Sequence, residues 1–302
     1  MAGEMRHFHL LFWLLLLAVA GQARAQNRWE RLPPTPALPK PVRSGLVAVN
    51  RIRLWYAVFG RGRAVILLHG GLANSNYWGG QIPALASRYK VIVIDSRGHG
   101  RSTWDGGPVS YHLMASDVLA LMDELHIAQA ALVGWSDGAI IGIDIAIHHP
   151  ERLTRLFAFG ANSDPSGAKS AGDNPAFADY RKRTRDEYAR LSPAPGQFDA
   201  FHEQLDRMWN AEPRFSDDQL RSIAVPTWIV DGEHDEIIRR EDTDRMARLI
   251  RGAHEVILPG VSHFAFLQNP EQFNQALLRF LAGDEPPATP WRFPLRLPSA
   301  FL

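Results

Sequence analysis

Three residues scattered over the chain have types that, brought together, would turn an alcohol into a nucleophile. Ser136 lies in Val133-Gly134-Trp135-Ser136-Asp137-Gly138-Ala139, a Gly-x-Ser-x-Gly turn. A serine hydroxyl is a poor nucleophile at neutral pH, so a base must take its proton and a carboxylate must orient that base. His263, within Pro259-Gly260-Val261-Ser262-His263-Phe264, is the expected base. Asp235, within Asp231-Gly232-Glu233-His234-Asp235, is the expected orienting acid, with Asp231 and Glu233 as its rivals. Asp231 lies closer to a strand end and suits a loop-capping role. A tetrahedral intermediate also needs N–H donors for its oxyanion. The turn Leu68-His69-Gly70-Gly71-Leu72 offers Gly71 as the first donor, with Leu72 next in line, and the N–H of Asp137 is the second. The chemistry implied is acyl transfer to Ser136 and hydrolysis of the acyl-enzyme.

The elements around these residues suit that task. Short β-branched runs at Ala64–Leu68, Val91–Ile94, Ala130–Val133, Leu153–Phe159, Thr227–Val230 and Glu255–Leu258 alternate with helical stretches at Tyr111–Glu124, Asp137–His148 and Arg239–Ile250. Continuous apolar runs indicate strands buried on both faces, and strand–helix alternation indicates a mostly parallel sheet flanked by helices, the α/β class. A hairpin over Leu46–Asn50 and Ile52–Phe59 adds two antiparallel edge strands, with Asn50-Arg51 in place of the easier Asn-Gly turn. The serine turn joins a strand to a helix, whose free N–H groups and dipole favour an anionic oxygen. Asp235 and His263 each follow a later strand, and the order Ser, Asp, His along the chain is the one a nucleophile elbow of this kind needs. Between about 161 and 222 the strand rhythm stops. Aromatic and charged residues recur there at helical spacing, including Phe177, Tyr180, Tyr188, Phe198, Phe201, Trp209 and Phe215, and an inserted helical cap is expected. Most of these aromatics should pack the cap onto the core, a few should reach substrate, and Trp135 should belong to the core. Arg181-Lys182-Arg183 with Arg185 reads as a solvated helix face.

On these motifs the chain resembles the α/β-hydrolase superfamily over residues 45 to 282. Besides the serine turn, His69-Gly70-Gly71 and Asp95-Ser96-Arg97-Gly98-His99-Gly100-Arg101-Ser102 are similar to the two most recognisable N-terminal motifs of that superfamily. The resemblance implies an α/β-hydrolase fold with an inserted helical cap, a cap-containing serine hydrolase of the esterase or lactonase kind, and a bracing role for Asp95, Arg97 and His99. Relatives often carry Glu five residues after the histidine, where this chain has Gln268 before Asn269-Pro270. Asp137 puts a carboxylate directly after the nucleophile, and its side chain must turn away from the oxyanion. Epoxide hydrolases and haloalkane dehalogenases of the superfamily place Asp where this chain has Ser136, which disfavours those chemistries.

The bulk composition narrows the field. With 302 residues, 46% of them hydrophobic, the chain can bury a large core. Lys+Arg 33 against Asp+Glu 32 gives a net charge of +1, which offers no field for holding nucleic acid. The absence of cysteine removes disulfides, thiol chemistry and Cys-based metal sites. No cofactor and no metal is expected: His234 beside Glu233 and Asp235 lacks a metal-ligand spacing, and His148 and His149 stand at a helix end before Pro150, where they complement the dipole. Residues 1–25 read as a cleavable signal peptide, with Arg6 and His7 before an apolar run from Leu10 to Ala20 and Ala23-Arg24-Ala25 at the cleavage point. The run is shorter than the ~20 apolar residues of a membrane span, so a secreted or periplasmic protein with no stable span after cleavage is expected. The expected organisation is signal peptide 1–25, proline-rich linker 26–44, hydrolase core 45–160 and 223–282, cap 161–222 and proline-rich tail 283–302. The favoured substrate is a small-molecule ester or lactone. An aminopeptidase-like amide hydrolase, with cap acids holding the substrate amine, and a non-catalytic pocket receptor are the alternatives; the oligomeric state is not encoded in any feature of the sequence.

Overall fold

In the computed structural model, residues 27–170 and 174–287 are described. The segment read as a signal peptide lies outside them, as does the tail beyond residue 287. Eight strands form one sheet: β1 (Arg43–Val49), β2 (Ile52–Phe59), β3 (Arg63–Leu68), β4 (Tyr89–Asp95), β5 (Ala130–Trp135), β6 (Leu153–Phe159), β7 (Thr227–Gly232) and β8 (His254–Leu258), in the order β1-β2-β4-β3-β5-β6-β7-β8. From β4 to β8 every pairing is parallel. The hairpin differs from expectation in one respect. Of its two strands only β1 is an edge, because β2 also pairs antiparallel with β4, Trp55 facing Asp95 and Phe59 facing Val91. Its turn residues Asn50 and Arg51 have φ of 40° and 66°, the positive values a tight two-residue hairpin demands.

The α-helices among the described residues are α1 (Ile82–Ala86), α2 (Tyr111–Glu124), α3 (Asp137–His148), α4 (Pro175–Leu191), α5 (Phe198–Ala211), α6 (Asp217–Ser222), α7 (Arg240–Leu249), α8 (Ala265–Gln268) and α9 (Pro270–Ala282). Both sheet faces are covered, so β5 and β7 are buried along their whole length. One apolar cluster joins the β2, β3 and β5 residues Leu54, Ile66 and Leu132 to α2, α3, α5 and α7; the other joins Leu67, Val133 and Phe157 to α9 and the ring stack Trp78, Trp135, Phe266 and Phe273. Strands covered on both sides lose the in–out alternation of a half-exposed sheet, which is why these read as continuous apolar runs.

Between β6 and β7 the chain forms α4, α5 and α6 with no strand of the main sheet, over the C-terminal ends of β3, β5 and β6. The proline-crowded residues ahead of β1 are extended and held in place. Arg183 of α4 donates to the carbonyls of Leu32 and Pro33, and the Thr35 hydroxyl donates to Glu187 at 2.6 Å. Arg183 therefore departs from the solvated-face reading of its basic cluster, whereas Lys182 and Arg185 pair with Asp186 and Asp199 at the surface.

The Asp95–Ser102 segment braces the sheet edge beneath the site. Asp95 accepts from the N–H of Ser75 and of Arg101, both at 2.8 Å. The buried Arg97 guanidinium bonds Asp117 at 2.7 and 2.8 Å. Because the Ser96 N–H donates to His69 Nε2 at 3.0 Å, the ring proton of His69 sits on Nδ1 and is given to the Gly70 carbonyl at 2.8 Å. Burial lowers the pKa of His69 and brings that of His99 to about 3, so both rings are neutral struts.

Candidate active site

Ser136 sits at the junction of β5 and α3 with φ 54° and ψ −122°, a backbone state that a non-glycine residue adopts only when its surroundings enforce it. The enforcement is local. The Ser136 N–H is bound to the Phe159 carbonyl on β6 at 2.8 Å, and the flanking glycines permit contacts no side chain would tolerate. A Cβ on Gly134 would lie 2.3 Å from the Gly138 carbonyl oxygen, and one on Gly138 would lie 2.3 Å from that of Leu68. The bend thus presses α3 against the end of β3; the N–H groups of Ala139 and Ile140 bond the Ser136 carbonyl, and that of Asp137, the first residue of α3, has no carbonyl partner within the helix.

Asp235 and His263 meet although 28 positions separate them. His263 Nδ1 lies 2.8 Å from Asp235 Oδ2, and both side chains are almost wholly buried. The other oxygen of Asp235 accepts the N–H groups of Ile237 and Ile238, each at 2.7 Å, which fixes the carboxylate in the plane the imidazole needs. Burial alone would lower the pKa of His263. The Asp235 charge, its hydrogen bond, and the more distant Glu236 and Asp137 outweigh burial and raise it above the ordinary histidine value. Burial pushes Asp235 the other way from its partners, and the His263 cation and the N–H donors prevail, holding its pKa below the ordinary value. Asp231, the rival acid, accepts from the N–H of Gly232 and the hydroxyl of Thr243, and burial, followed by the charge and hydrogen bond of the adjacent Asp235, raises its pKa well above the ordinary range. Glu233 caps the loop by accepting the Gly260 N–H at 2.8 Å.

Ser136 and His263 share a cavity of about 520 Å3 with Gly71, Leu72 and Asp137. The loop carrying Gly71 lies directly on Ser136: a Cβ on Gly70 would touch Cβ of Ser136 at 3.0 Å. The structure thus brings together all five residues expected from the sequence. Leu72, the next-in-line donor, has φ 64° and lines the same cavity. Asp137 turns toward the cap. Its carboxylate accepts the Tyr111 hydroxyl at 2.9 Å and the Trp209 indole N–H at 3.0 and 3.1 Å, but stays in the cavity wall. Burial raises its pKa to about 6, against the opposing pull of those two donors. Tyr180 on α4 donates its hydroxyl to the Gly71 carbonyl.

Phe177, Tyr180 and Trp209 reach the cavity, whereas Tyr188, Phe198, Phe201 and Phe215 pack into the core beneath the cap. Trp135 does both: it stacks among Tyr77, Phe264 and Phe266, and its edge lines the cavity. Three contributions escaped the sequence reading, in which Trp209 figured only as a cap aromatic. Glu236 accepts the His263 N–H at 3.1 Å and pins the loop from below; Tyr111 and Trp209 hold Asp137. None has a motif, since each acts through a contact between distant segments. Gln268 has a physical reason for standing where relatives often have Glu. Its Oε1 accepts the Ser262 N–H while its Nε2 donates to the carbonyls of Trp29 and Arg31, and a carboxylate could not donate.

Comparison with known proteins agrees with this geometry. Residues 65–276 match the model of the alpha/beta hydrolase family, and the chain belongs to that family. It is 30% identical over 255 residues to a pimeloyl-[acyl-carrier protein] methyl ester esterase of Aeromonas hydrophila, an alignment covering 74% of this chain and 97% of the relative. It is 27% identical to 3-oxoadipate enol-lactonase 2 of Acinetobacter baylyi, covering 75% of this chain and 92% of the relative. Among solved structures, Est816, described as an N-acyl homoserine lactone degrading enzyme, superposes with a TM-score of 0.66 at 26% identity, covering 78% of this chain and all of that one.

Proposed function

We propose that this member of the alpha/beta hydrolase family cleaves a small carboxylic ester or lactone through an acyl-enzyme on Ser136. The observation that carries the reading is the strained Ser136 in one cavity with a His263 whose Nδ1 is held by Asp235 at 2.8 Å. Because Asp235 accepts the proton on Nδ1, the lone pair of His263 is on Nε2, the nitrogen free to take the Ser136 proton. Ser136 Oγ then forms a bond to the acyl carbon, and the N–H groups of Gly71 and Asp137 hold the resulting oxyanion. As the tetrahedral intermediate collapses, the bond to the leaving oxygen breaks and His263 returns its proton there. Water, deprotonated by the same nitrogen, attacks the acyl-enzyme and releases the acid and Ser136. The ester and lactone relatives support this choice of substrate class. The mature enzyme is exported, a reading supported by the basic start, apolar run and small-residue end of residues 1–25.

A second reading rests on the acids of the cavity wall. Asp137, Asp206 and Glu212 all line it, and among the described residues no cationic side chain is bonded to the buried Asp137. An ester or amide carrying an amine would place its cation beside them. The test is hydrolysis of short p-nitrophenyl esters, amino-acid esters and amino-acid amides by the wild type and Ser136→Ala, with fluorophosphonate labelling of each. Turnover and labelling by the wild type alone establish the nucleophile, and preference for the amine-bearing panel selects the second reading. A wild type that neither labels nor turns over any panel rejects both. Cell fractionation with N-terminal sequencing tests export.

A further inference from the structure

We propose that His112, Asp144 and His148 form a surface site for a divalent transition-metal ion, with Zn2+ as the ion their donors suit. The site is separate from the catalytic cavity, whose wall includes none of the three. Asp144 and His148 stand four positions apart on α3 and share one face of that helix. His112, the second residue of α2, meets them from the neighbouring helix. His112 Nδ1 is 3.1 Å from Asp144 Oδ1, and His148 Nε2 is 3.8 Å from Asp144 Oδ2. The two imidazole rings stand 5.2 Å apart at 90°. One donor atom from each residue lies within 4.8 Å of the others. Tetrahedral zinc with bonds of about 2.0–2.1 Å needs donor separations of about 3.3–3.5 Å, a closure that small rotations of solvent-facing imidazoles supply.

Charge argues the same way. Asp144 is only 5% exposed, and among the described residues its ion pairs are with these two histidines. A dication between the three would give this buried carboxylate a full positive partner and complete the set. His148 lies in the last turn of α3, where the helix dipole also favours positive charge. Two imidazoles and one carboxylate suit zinc and its neighbours rather than calcium or magnesium, and they leave positions for water. The ion would tie the start of α2 to the end of α3.

The test uses untagged protein, stripped with chelator and titrated with Zn2+ by calorimetry. His112→Ala and His148→Ala are compared with His126→Asn, which alters an exposed histidine outside the cluster and keeps a residue that tolerates its φ of 54°. The expected result is one equivalent of Zn2+, weakened at least about 10-fold by either cluster variant and unchanged in the control. Co2+ substitution should give visible absorption that both cluster variants lose. Absence of stoichiometric binding, or equal affinity in wild type and both cluster variants, overturns the proposal.

Discussion

Replacing Asp235 with Asn is the sharpest probe of the site, because the surrounding loop decides which way the amide must face. Asp235 Oδ1 accepts two backbone N–H groups at 2.7 Å, from Ile237 and Ile238. An Asn that turned its NH2 toward them would orphan two donors in a buried loop, at about 1–3 kcal/mol each. The amide oxygen therefore stays on the loop and the NH2 faces His263 Nδ1, which at 2.8 Å must become an acceptor. The imidazole proton then sits on Nε2, the nitrogen that has to receive the Ser136 proton. A trapped wrong tautomer costs on the order of 10,000-fold in kcat, about 5 kcal/mol of barrier at about 1.36 kcal/mol per decade. The assay is kcat/KM on a p-nitrophenyl ester, with circular dichroism confirming the fold. Asp231→Asn is the control: burial beside Asp235 raises the pKa of that group well above the ordinary range and disfavours its charge, so an isosteric amide should cost less than about tenfold. If Asp235→Asn kept activity within tenfold while Asp231→Asn lost several decades, the assignment of the orienting acid would be wrong.

Three further outcomes are expected. His263 must be neutral to act as base, so activity on a neutral ester should rise with pH through a pKa above the ordinary histidine value; Asp137→Asn removes one charge that raises that pKa and should move the rise to lower pH, as a pH profile of kcat/KM would reveal. Arg97→Ala leaves the buried Asp117 without its guanidinium and should cost about 3–5 kcal/mol, lowering the thermal midpoint by roughly 10 °C in a calorimetric scan. Arg51→Gly relieves a non-glycine residue held at φ 66° and forfeits an ion pair from the exposed Arg51 side chain to Asp105; a gain of about 1 kcal/mol and a few degrees in the midpoint should follow, and an unchanged or lower midpoint would show that the relief of strain does not outweigh that pair.

How far the sequence discloses this molecule depends on the range over which each feature is determined. The parallel strands were legible because a strand covered on both faces must be apolar throughout, and α2 and α3 were legible from spacing with their bounds intact. The serine turn was legible because steric collision at positions 134 and 138 leaves glycine as the residue that fits. The expected Ser, Asp and His converge because each follows a strand of one sheet, so topology alone brings them to one edge. Contacts between distant segments carried no such signature. The placement of β2 inside the sheet depends on β4 pairing with it, 32 or more positions later in the register. Arg183 looked like one more solvated cation until the proline-rich lead-in lay against it. Glu236 and Trp209 are of ordinary type in ordinary contexts, and their roles exist only through what the fold sets beside them.

The cap helices reach into the reaction centre itself as well as over it. Tyr180 of α4 is bonded to the carbonyl of Gly71, and Trp209 of α5 to the carboxylate of Asp137, so both proposed oxyanion donors belong to residues held by the cap. Selectivity and rate are therefore coupled through the same two contacts in the proposed mechanism. A cap grafted from a relative with a different taste in substrates would bring a new pocket but would also loosen the proposed oxyanion donors. A laboratory redesign of specificity would have to keep a hydroxyl on the Gly71 carbonyl and an indole on the Asp137 carboxylate.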